Sequence, residues 1–251
     1  MRVLLSLGSL VDTDITRTLA AFEAIGVLTP ANNAELLTAV GPIIKDYKEG
    51  RSSSEVFQSA MKAVIAESVV GYGVIKPVEP NWLQNCWNAM VEVKVARLVQ
   101  MKEFIGEGHT VYLYSNTNPW HVEKIGGRPT LHGIGIGDAN IAISYECHGD
   151  PFELVKDKCK RDATPGEVLI HLTDAKPYPT EYKPDKDQHD AYLPMLEEGG
   201  FKTCLWGQDY TGSLSALIQT HIAPRVGSSA TAIASAMASA APGKDEHTSH
   251  P

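Results

Sequence analysis

The sequence is poor in cysteine, in basic charge and in long apolar runs, and each shortage excludes a class of protein. Its four cysteines, Cys86, Cys147, Cys159 and Cys204, lack C-x-x-C spacing, which argues against a zinc site and a disulfide scaffold and favours reduced thiols in a cytoplasmic protein. Lysine and arginine total 22 against 30 aspartates and glutamates, so we expect no nucleic-acid partner and no membrane partner. No apolar run reaches the roughly 20 residues that a membrane span requires.

The length and the apolar content are sufficient for one large domain, or for a core with a smaller insertion. The chain has 251 residues, of which 43% are hydrophobic, and this predicts a soluble globular protein. Segment 1–11 combines one basic residue with a short apolar run, as a signal peptide does. No small-residue cleavage site follows, and Asp12, Asp14 and Arg17 interrupt the run, so we favour a buried first strand.

Strand and helix patterns alternate at both ends of the chain and enclose a stretch that is helical throughout. A Val- and Leu-rich strand at 2–7 precedes a helix at 16–25, and only helical patterns occur from 29 to 90. A helix at 91–105 follows, and the alternation then resumes. Strands are predicted at 110–114, 139–144, 168–172 and 203–206, and helices at 33–40, 53–66, 80–90, 121–125, 151–161 and 190–198.

This order of elements predicts an α/β fold, a Rossmann-like parallel sheet core with an inserted all-helical cap. We expect the core to comprise 1–28 and 91–226 and the cap to comprise 29–90. The Ala- and Ser-rich stretch 227–251 has too little bulk to pack firmly, so we expect a disordered tail there.

The apolar run at 111–114 ends abruptly in Ser115 and Asn116. A buried parallel strand would present these two side chains at its carboxyl end, where open α/β sheets place their ligands. A helix beginning near Pro119 would direct backbone N–H groups to the same place, so the segment predicts an oxyanion site that suits a phosphate. The alternative is that Ser115 and Asn116 only cap the helix.

Three separated motifs resemble the haloacid dehalogenase-like superfamily, in the branch of small phosphatases and dehalogenases with a helical cap. Segments 46–57 (DYKEGRSSSEVF) and 82–90 (WLQNCWNAM) are similar to that branch's cap motifs, and 115–121 (SNTNPWH) is similar to its second motif. The resemblance covers about 3–206. It implies a cap over a cleft at the carboxyl ends of the strands, an aspartyl intermediate, and Mg²⁺ as the cofactor of active members.

The resemblance also implies that the first motif has lost its nucleophile. Ser6 stands where the superfamily's nucleophilic aspartate is expected, in the segment LSLGSLV at 5–11, which also supplies Gly8 as a ligand-binding position. A serine without an adjacent base is a weak nucleophile, and it offers Mg²⁺ no carboxylate.

The third and fourth motifs are altered as well. His148 stands at the lysine position of the third motif, unless Lys156 or Lys158 has taken over that role. In the fourth motif Thr173 replaces one acid of a pair and Asp174 remains, so we expect Asp174 to bind metal weakly or not at all. Each loss alone would cost orders of magnitude in rate, because these groups act as a unit.

A rival alignment places the nucleophile at Asp12 or Asp14, because 12–16 (DTDIT) satisfies the superfamily's Asp-x-Asp-x-Thr pattern. Gly8 and Ser9 then fall where a buried strand should lie, which counts against this alignment. It implies an active, low-rate, Mg²⁺-dependent phosphohydrolase that acts on a small phosphomonoester through an aspartyl-phosphate, with Asp174 at the metal.

Among the remaining candidates, packing explains the side chains best. Trp82 and Trp87 are expected to pack the cap onto the core, and His121 is expected to be a packing histidine, since no acidic partner is assigned to it.

The sequence thus predicts a hydrolase fold that has lost its activity, a pseudoenzyme that binds a small phosphorylated molecule or a protein partner. We expect no cofactor, or Mg²⁺ if the protein is active. The residues leave monomer and homodimer equally open.

Overall fold

The computed structural model describes residues 1–29, 33–69, 79–147, 150–174, 192–207 and 210–223. The described strands are β1 (Arg2–Ser6), β2 (Val11–Thr13), β3 (Val91–Val93), β4 (Thr110–Ser115), β5 (Ile141–Ile143), β6 (Leu169–Asp174) and β7 (Phe201–Trp206). The described helices are α1 (Ile15–Ala24), α2 (Asn33–Lys48), α3 (Ser54–Val69), α4 (Trp82–Asn88), α5 (Val95–Gly106), α6 (Pro119–Lys124), α7 (Gly127–Gly133), α8 (Ser144–Cys147), α9 (Pro151–Asp162), α10 (192–198) and α11 (Leu214–Ile222).

Five strands form one parallel sheet in the order β5-β4-β1-β6-β7, with β1 at its centre. The sheet is covered on both faces, which explains why β1 and β4 are apolar at successive positions rather than at alternate ones. Val3 and Leu5 face a core cluster that includes residues of α5, α7 and α11. Leu4 faces the opposite cluster, which includes residues of α9 and α10. The predicted α/β fold with a Rossmann-like parallel sheet is therefore confirmed.

The all-helical insertion has a hydrophobic cluster of its own, built around aromatic rings. Tyr47 of α2 stacks on Phe57 of α3 with ring centroids 4.1 Å apart, and Trp120 of α6 contacts both rings edge-on. Phe22 of α1 and Trp87 of α4 belong to the same cluster. Because Trp120 lies just after β4, the insertion packs directly against the carboxyl end of the sheet.

Helix α2 is longer than the sequence predicted. The predicted helix ended at residue 40, but the helix continues to Lys48 with Pro42 inside it. The continuation brings Tyr47, only 1% exposed, into the aromatic cluster. Apolar burial of this size, about 1.5–3 kcal/mol for a large side chain, offsets much of the cost of an interior proline.

A second sheet was missed by the sequence analysis. Strands β2 and β3 pair antiparallel, with Asp12 opposite Glu92, and they connect the core to the helical insertion at both of its ends. The predicted helix at 91–105 therefore begins only at Val95. Strands of three residues are too short to show a period of two, which explains the error. Helix α11 was also not predicted.

The predicted tail 227–251 lies outside the described residues, and so does 175–191, which contains the start of the helix predicted at 190–198. Among the helices that the structure does describe, none combines the length and the apolar character needed to cross a membrane.

Candidate functional site

The candidate site is a cavity of about 1250 Å³ between the carboxyl ends of the central strands and the helical insertion. Its floor brings together the side chains that the sequence analysis singled out on separate segments: Ser6, Gly8, Asp12, Asp14, Ser115, Asn116, Thr173 and Asp174. Parallel strands share one carboxyl edge, so β1, β4 and β6 deliver their last residues to the same place. His148 lies outside the described residues.

Ser6 ends β1, the central strand, and its hydroxyl is used locally. Its Oγ accepts a hydrogen bond from the backbone N–H of Gly8 at 3.3 Å, which caps the 3-10 turn Leu7–Ser9. This contact closes the loop after the strand and fixes the serine's orientation. It does not activate the hydroxyl, because activation requires a base that accepts the hydroxyl proton.

Ser115 ends β4 and Asn116 follows it, and a neighbouring residue performs the capping role that was their alternative explanation. The Oδ1 of Asn118 accepts from the N–H of His121 at 3.1 Å and so caps α6. Ser115 is buried in the cavity floor, and Asn116 is exposed. The helix begins at Pro119 as predicted, but it has only six residues and one of its free N–H groups is already bonded. The anion-binding potential therefore rests on Ser115 and Asn116 rather than on α6.

One hydroxyl holds this loop against the insertion. Ser144 Oγ accepts from the N–H of Thr117 at 3.2 Å, and it lies 2.6 Å from the carbonyl oxygen of Lys48 at the end of α2. Gly50, two residues further on, adopts φ +70°, and a Cβ there would lie 2.3 Å from the carbonyl oxygen of Tyr145. Only glycine fits this close approach between the insertion and α8.

Asp12 and Asp14 share an arginine. Arg17 lies 3.4 Å from Asp12 Oδ2 and 3.6 Å from Asp14 Oδ2, and it also pairs with Glu92 at 2.5 Å. Asp14 accepts from both the hydroxyl and the N–H of Thr16, and these bonds lower the pKa of Asp14. Asp12 lies on β2 and Asp14 caps α1, so neither takes the place at the end of β1 that the nucleophile of the rival alignment requires.

Asp174 ends β6 and has a cation beside it. Lys94 Nζ lies 3.6 Å from Asp174 Oδ2, and both side chains are largely buried. Burial lowers the pKa of Lys94, and the nearby Arg97 guanidinium lowers it further, while Asp174 acts in the opposite direction. Arg97 is itself buried and donates to the carbonyl oxygens of Ser9 at 2.6 Å and Trp206 at 2.9 Å.

These residues do not fit a magnesium ion. Mg²⁺ requires hard oxygen ligands in octahedral geometry and is usually held by carboxylates. At the ends of β1 and β6 the chain supplies the hydroxyls of Ser6 and Thr173 and the one carboxylate of Asp174, which faces Lys94. Across the described ranges, no group of three or more His, Cys, Asp or Glu side chains could hold a metal ion.

His121 and Trp87 both line the cavity, and their rings pack against each other. The imidazole of His121 stacks on the indole of Trp87 at 5.8 Å, which agrees with the packing role expected for it. Burial lowers the pKa of His121 to about 4, so the ring is neutral at pH 7. Within the described part of the chain its Nε2 has no hydrogen-bond partner.

Neither candidate for a relocated third-motif lysine reaches the described cavity wall. Both lie on α9, where Lys156 pairs with Glu153 at 2.6 Å and Lys158 pairs with Asp162 at 2.6 Å. Lys94, the lysine beside Asp174, was not among the predicted site residues. The available signal was a charged residue directly after the short alternating segment Val91-Glu92-Val93, but 91–105 had been assigned to a helix.

No protein-family model matches the chain, and no curated protein sequence matches it. Solved structures do match. A HAD family enzyme from Bacteroides thetaiotaomicron is 18% identical, with 86% of this chain and 97% of that chain covered and a TM-score of 0.60. A structure of that enzyme with magnesium and inorganic phosphate gives a TM-score of 0.57 over 86% and 98% of the two chains. A predicted HAD-like family hydrolase from Porphyromonas gingivalis is 17% identical, with 87% and 96% covered and a TM-score of 0.57.

At these identities the similarity establishes the fold. The chain has the haloacid dehalogenase-like hydrolase fold, as the resemblance of its motifs implied. Its chemistry depends on its own residues.

Proposed function

We propose that this protein has lost hydrolase activity and that it binds a small phosphorylated molecule, without turnover, in the cavity between the sheet and the helical insertion. The observation that carries the proposal is Ser6. It occupies the end of the central strand, where the fold's nucleophilic carboxylate is expected, and its hydroxyl accepts from Gly8 N. Without a carboxylate there, an aspartyl-phosphate cannot form at this position.

The rival hypothesis, a low-rate Mg²⁺-dependent phosphohydrolase, would need Asp12 or Asp14 as the nucleophile. Both carboxylates lie near Arg17, and Asp14 also caps α1. A carboxylate committed to an ion pair and to helix capping is oriented by those contacts rather than toward a bound phosphate. The geometry therefore favours the binding function.

The groups that line the cavity indicate which kind of ligand fits it. Its floor carries hydroxyl and amide groups, among them those of Ser115 and Asn116, which suit an oxyanion. Its walls within the helical insertion are apolar and include Leu36, Leu37 and Ile65. A molecule with one anionic group and an apolar body matches both parts, and a cavity of this volume suits a small molecule better than a protein surface.

The loss of activity is tested with purified protein against a panel of phosphomonoesters that includes p-nitrophenyl phosphate, with and without Mg²⁺. We expect no turnover above background. Magnesium-dependent turnover that Asp12→Asn or Asp14→Asn abolishes would overturn the proposal and establish the rival hypothesis. Turnover that both variants leave intact would overturn both hypotheses.

The binding function is tested by calorimetry with inorganic phosphate and phenyl phosphate. We expect Ser115→Ala to weaken both ligands about tenfold, which corresponds to about 1.4 kcal/mol. Leu37 is 45% exposed, so Leu37→Ser should preserve the fold, and we expect it to weaken phenyl phosphate only. Thr203→Ala removes an exposed hydroxyl on β7 and is the control. Equal affinities in wild type and Ser115→Ala would contradict the proposed site.

A further inference from the structure

Lys94 is held in place by the backbone as well as by its charge. It follows β3 and precedes α5, and its N–H donates to the carbonyl oxygen of Leu10 at 3.1 Å. Its ammonium group lies 3.6 Å from Asp174 Oδ2, and the exposed fractions of the two side chains are 17% and 15%. Removal from water strengthens the attraction between such charges and reduces screening by salt.

The charge balance around Asp174 is positive. Arg97 lies one helical turn after Lys94, and within the described residues its guanidinium donates to neutral carbonyl groups, those of Ser9 and Trp206. Two cations therefore stand near the one carboxylate at the end of β6. A divalent metal at this carboxylate would have to displace the ammonium and approach the guanidinium, and no second carboxylate on the adjoining strand β1 offsets that repulsion.

We propose that Lys94 is a built-in cation that neutralises Asp174 in place of a divalent metal, so that the site accepts its anionic ligand without Mg²⁺. The ligand's independence of Mg²⁺ rests on the binding function proposed above. The exclusion of the metal rests only on the Lys94–Asp174 contact and on Ser6 and Thr173, which supply hydroxyl groups and no carboxylates.

The metal is tested directly, with Mn²⁺ as a paramagnetic probe for the Mg²⁺ position. Electron paramagnetic resonance measures the free Mn²⁺ that remains when protein is titrated. We expect wild type to leave the signal of millimolar Mn²⁺ unchanged, as Asp174→Asn should. We expect Lys94→Met to bind Mn²⁺ at least about tenfold more tightly, equivalent to about 1.4 kcal/mol, because it leaves a carboxylate without its cation. Lys102→Met removes an exposed lysine of α5, the helix that follows Lys94, and should resemble wild type.

The ligand is tested by calorimetry with inorganic phosphate in EDTA and in excess Mg²⁺. We expect wild-type affinity to be the same in both, and Lys94→Met to lose about tenfold in EDTA and to recover part of that in Mg²⁺. Phosphate binding by wild type that requires Mg²⁺, or tight Mn²⁺ binding by wild type that Asp174→Asn abolishes, would overturn the inference.

These two arms separate the inference from the proposed function. If phosphate and phenyl phosphate bind to no variant while the Mn²⁺ results are as expected, the binding function fails and the role of Lys94 stands. The wild-type Mn²⁺ titration decides the metal question even if Lys94→Met does not fold.

Discussion

Replacing Arg97 by methionine should destabilise the protein by about 3 kcal/mol. Arg97 is 3% exposed, donates to the carbonyl oxygens of Ser9 and Trp206, and lies over the Trp206 ring at 4.5 Å. Each hydrogen bond from a charged donor contributes about 1.5–3 kcal/mol, and the cation–π contact adds about 0.5–1 kcal/mol. Removing a buried charge recovers part of this sum, because the guanidinium no longer has to be desolvated.

The measurement is urea unfolding followed by circular dichroism, with thermal unfolding as a second readout. For a domain of this size 1 kcal/mol shifts the midpoint by about 2–4 °C, so we expect a fall of about 6–12 °C. Lys102→Met, on the exposed side of the same helix, should stay within about 0.5 kcal/mol of wild type. If Arg97→Met lowered the free energy of unfolding by less than about 1 kcal/mol, the view that this side chain joins the turn Leu7–Ser9 to β7 would be refuted.

Three further predictions concern stability. Burial lowers the pKa of His121 from 6.5 to about 4. The neutral imidazole therefore makes its full contribution to the free energy of unfolding above pH 6.5, and this contribution is lost as the pH falls toward 4. Between pH 6.5 and 4 the free energy of unfolding should fall by about 3 kcal/mol more in wild type than in His121→Gln. Parallel curves of unfolding free energy against pH for the two proteins would contradict this. Gly50→Ala should cost at least about 2 kcal/mol more than Gly108→Ala, since both have positive φ but only Gly50 faces a backbone oxygen; equal losses would rule out the clash. Phe57→Ala should cost about 3–5 kcal/mol and Val56→Ala, an exposed neighbour, under about 0.5 kcal/mol, and similar losses in both would show that the aromatic cluster contributes little.

The main sheet could be predicted because its strands carry the signal in their own residues. The run at 111–114 is apolar without interruption, as a strand covered on both faces must be, and the turn residues around it mark its ends. Strands β2 and β3 carry no such signal. Their three residues each are fixed by pairing across a long stretch of chain, which local patterns do not record.

The candidate site was predictable to the same extent. Ser6, Ser115 and Asp174 end parallel strands, so their convergence follows from topology once the strands are assigned. Lys94 was not predictable, because it becomes relevant only through Asp174, which the end of β6 brings near. The contact of Arg17 with Glu92 likewise depends on the β2–β3 sheet, whereas its contacts with Asp12 and Asp14 are local in the sequence. Ion pairs between distant segments depend on three-dimensional placement, whereas apolar periodicity is local.

The hydroxyl of Ser144, which links the helical insertion to the loop after β4, has two alternative hydrogen-bond acceptors. It lies 2.6 Å from the carbonyl oxygen of Lys48 and 3.1 Å from that of Thr117, yet it has a single proton to donate. If the end of α2 moved away, rotation about the Cβ–Oγ bond would redirect the hydroxyl donor from the carbonyl oxygen of Lys48 to that of Thr117. Opening at this corner exchanges one hydrogen bond for another rather than losing one. The loop that carries Ser115 and Asn116 would keep its hydrogen bonds to Ser144 after such a movement, so the floor of the site would stay formed.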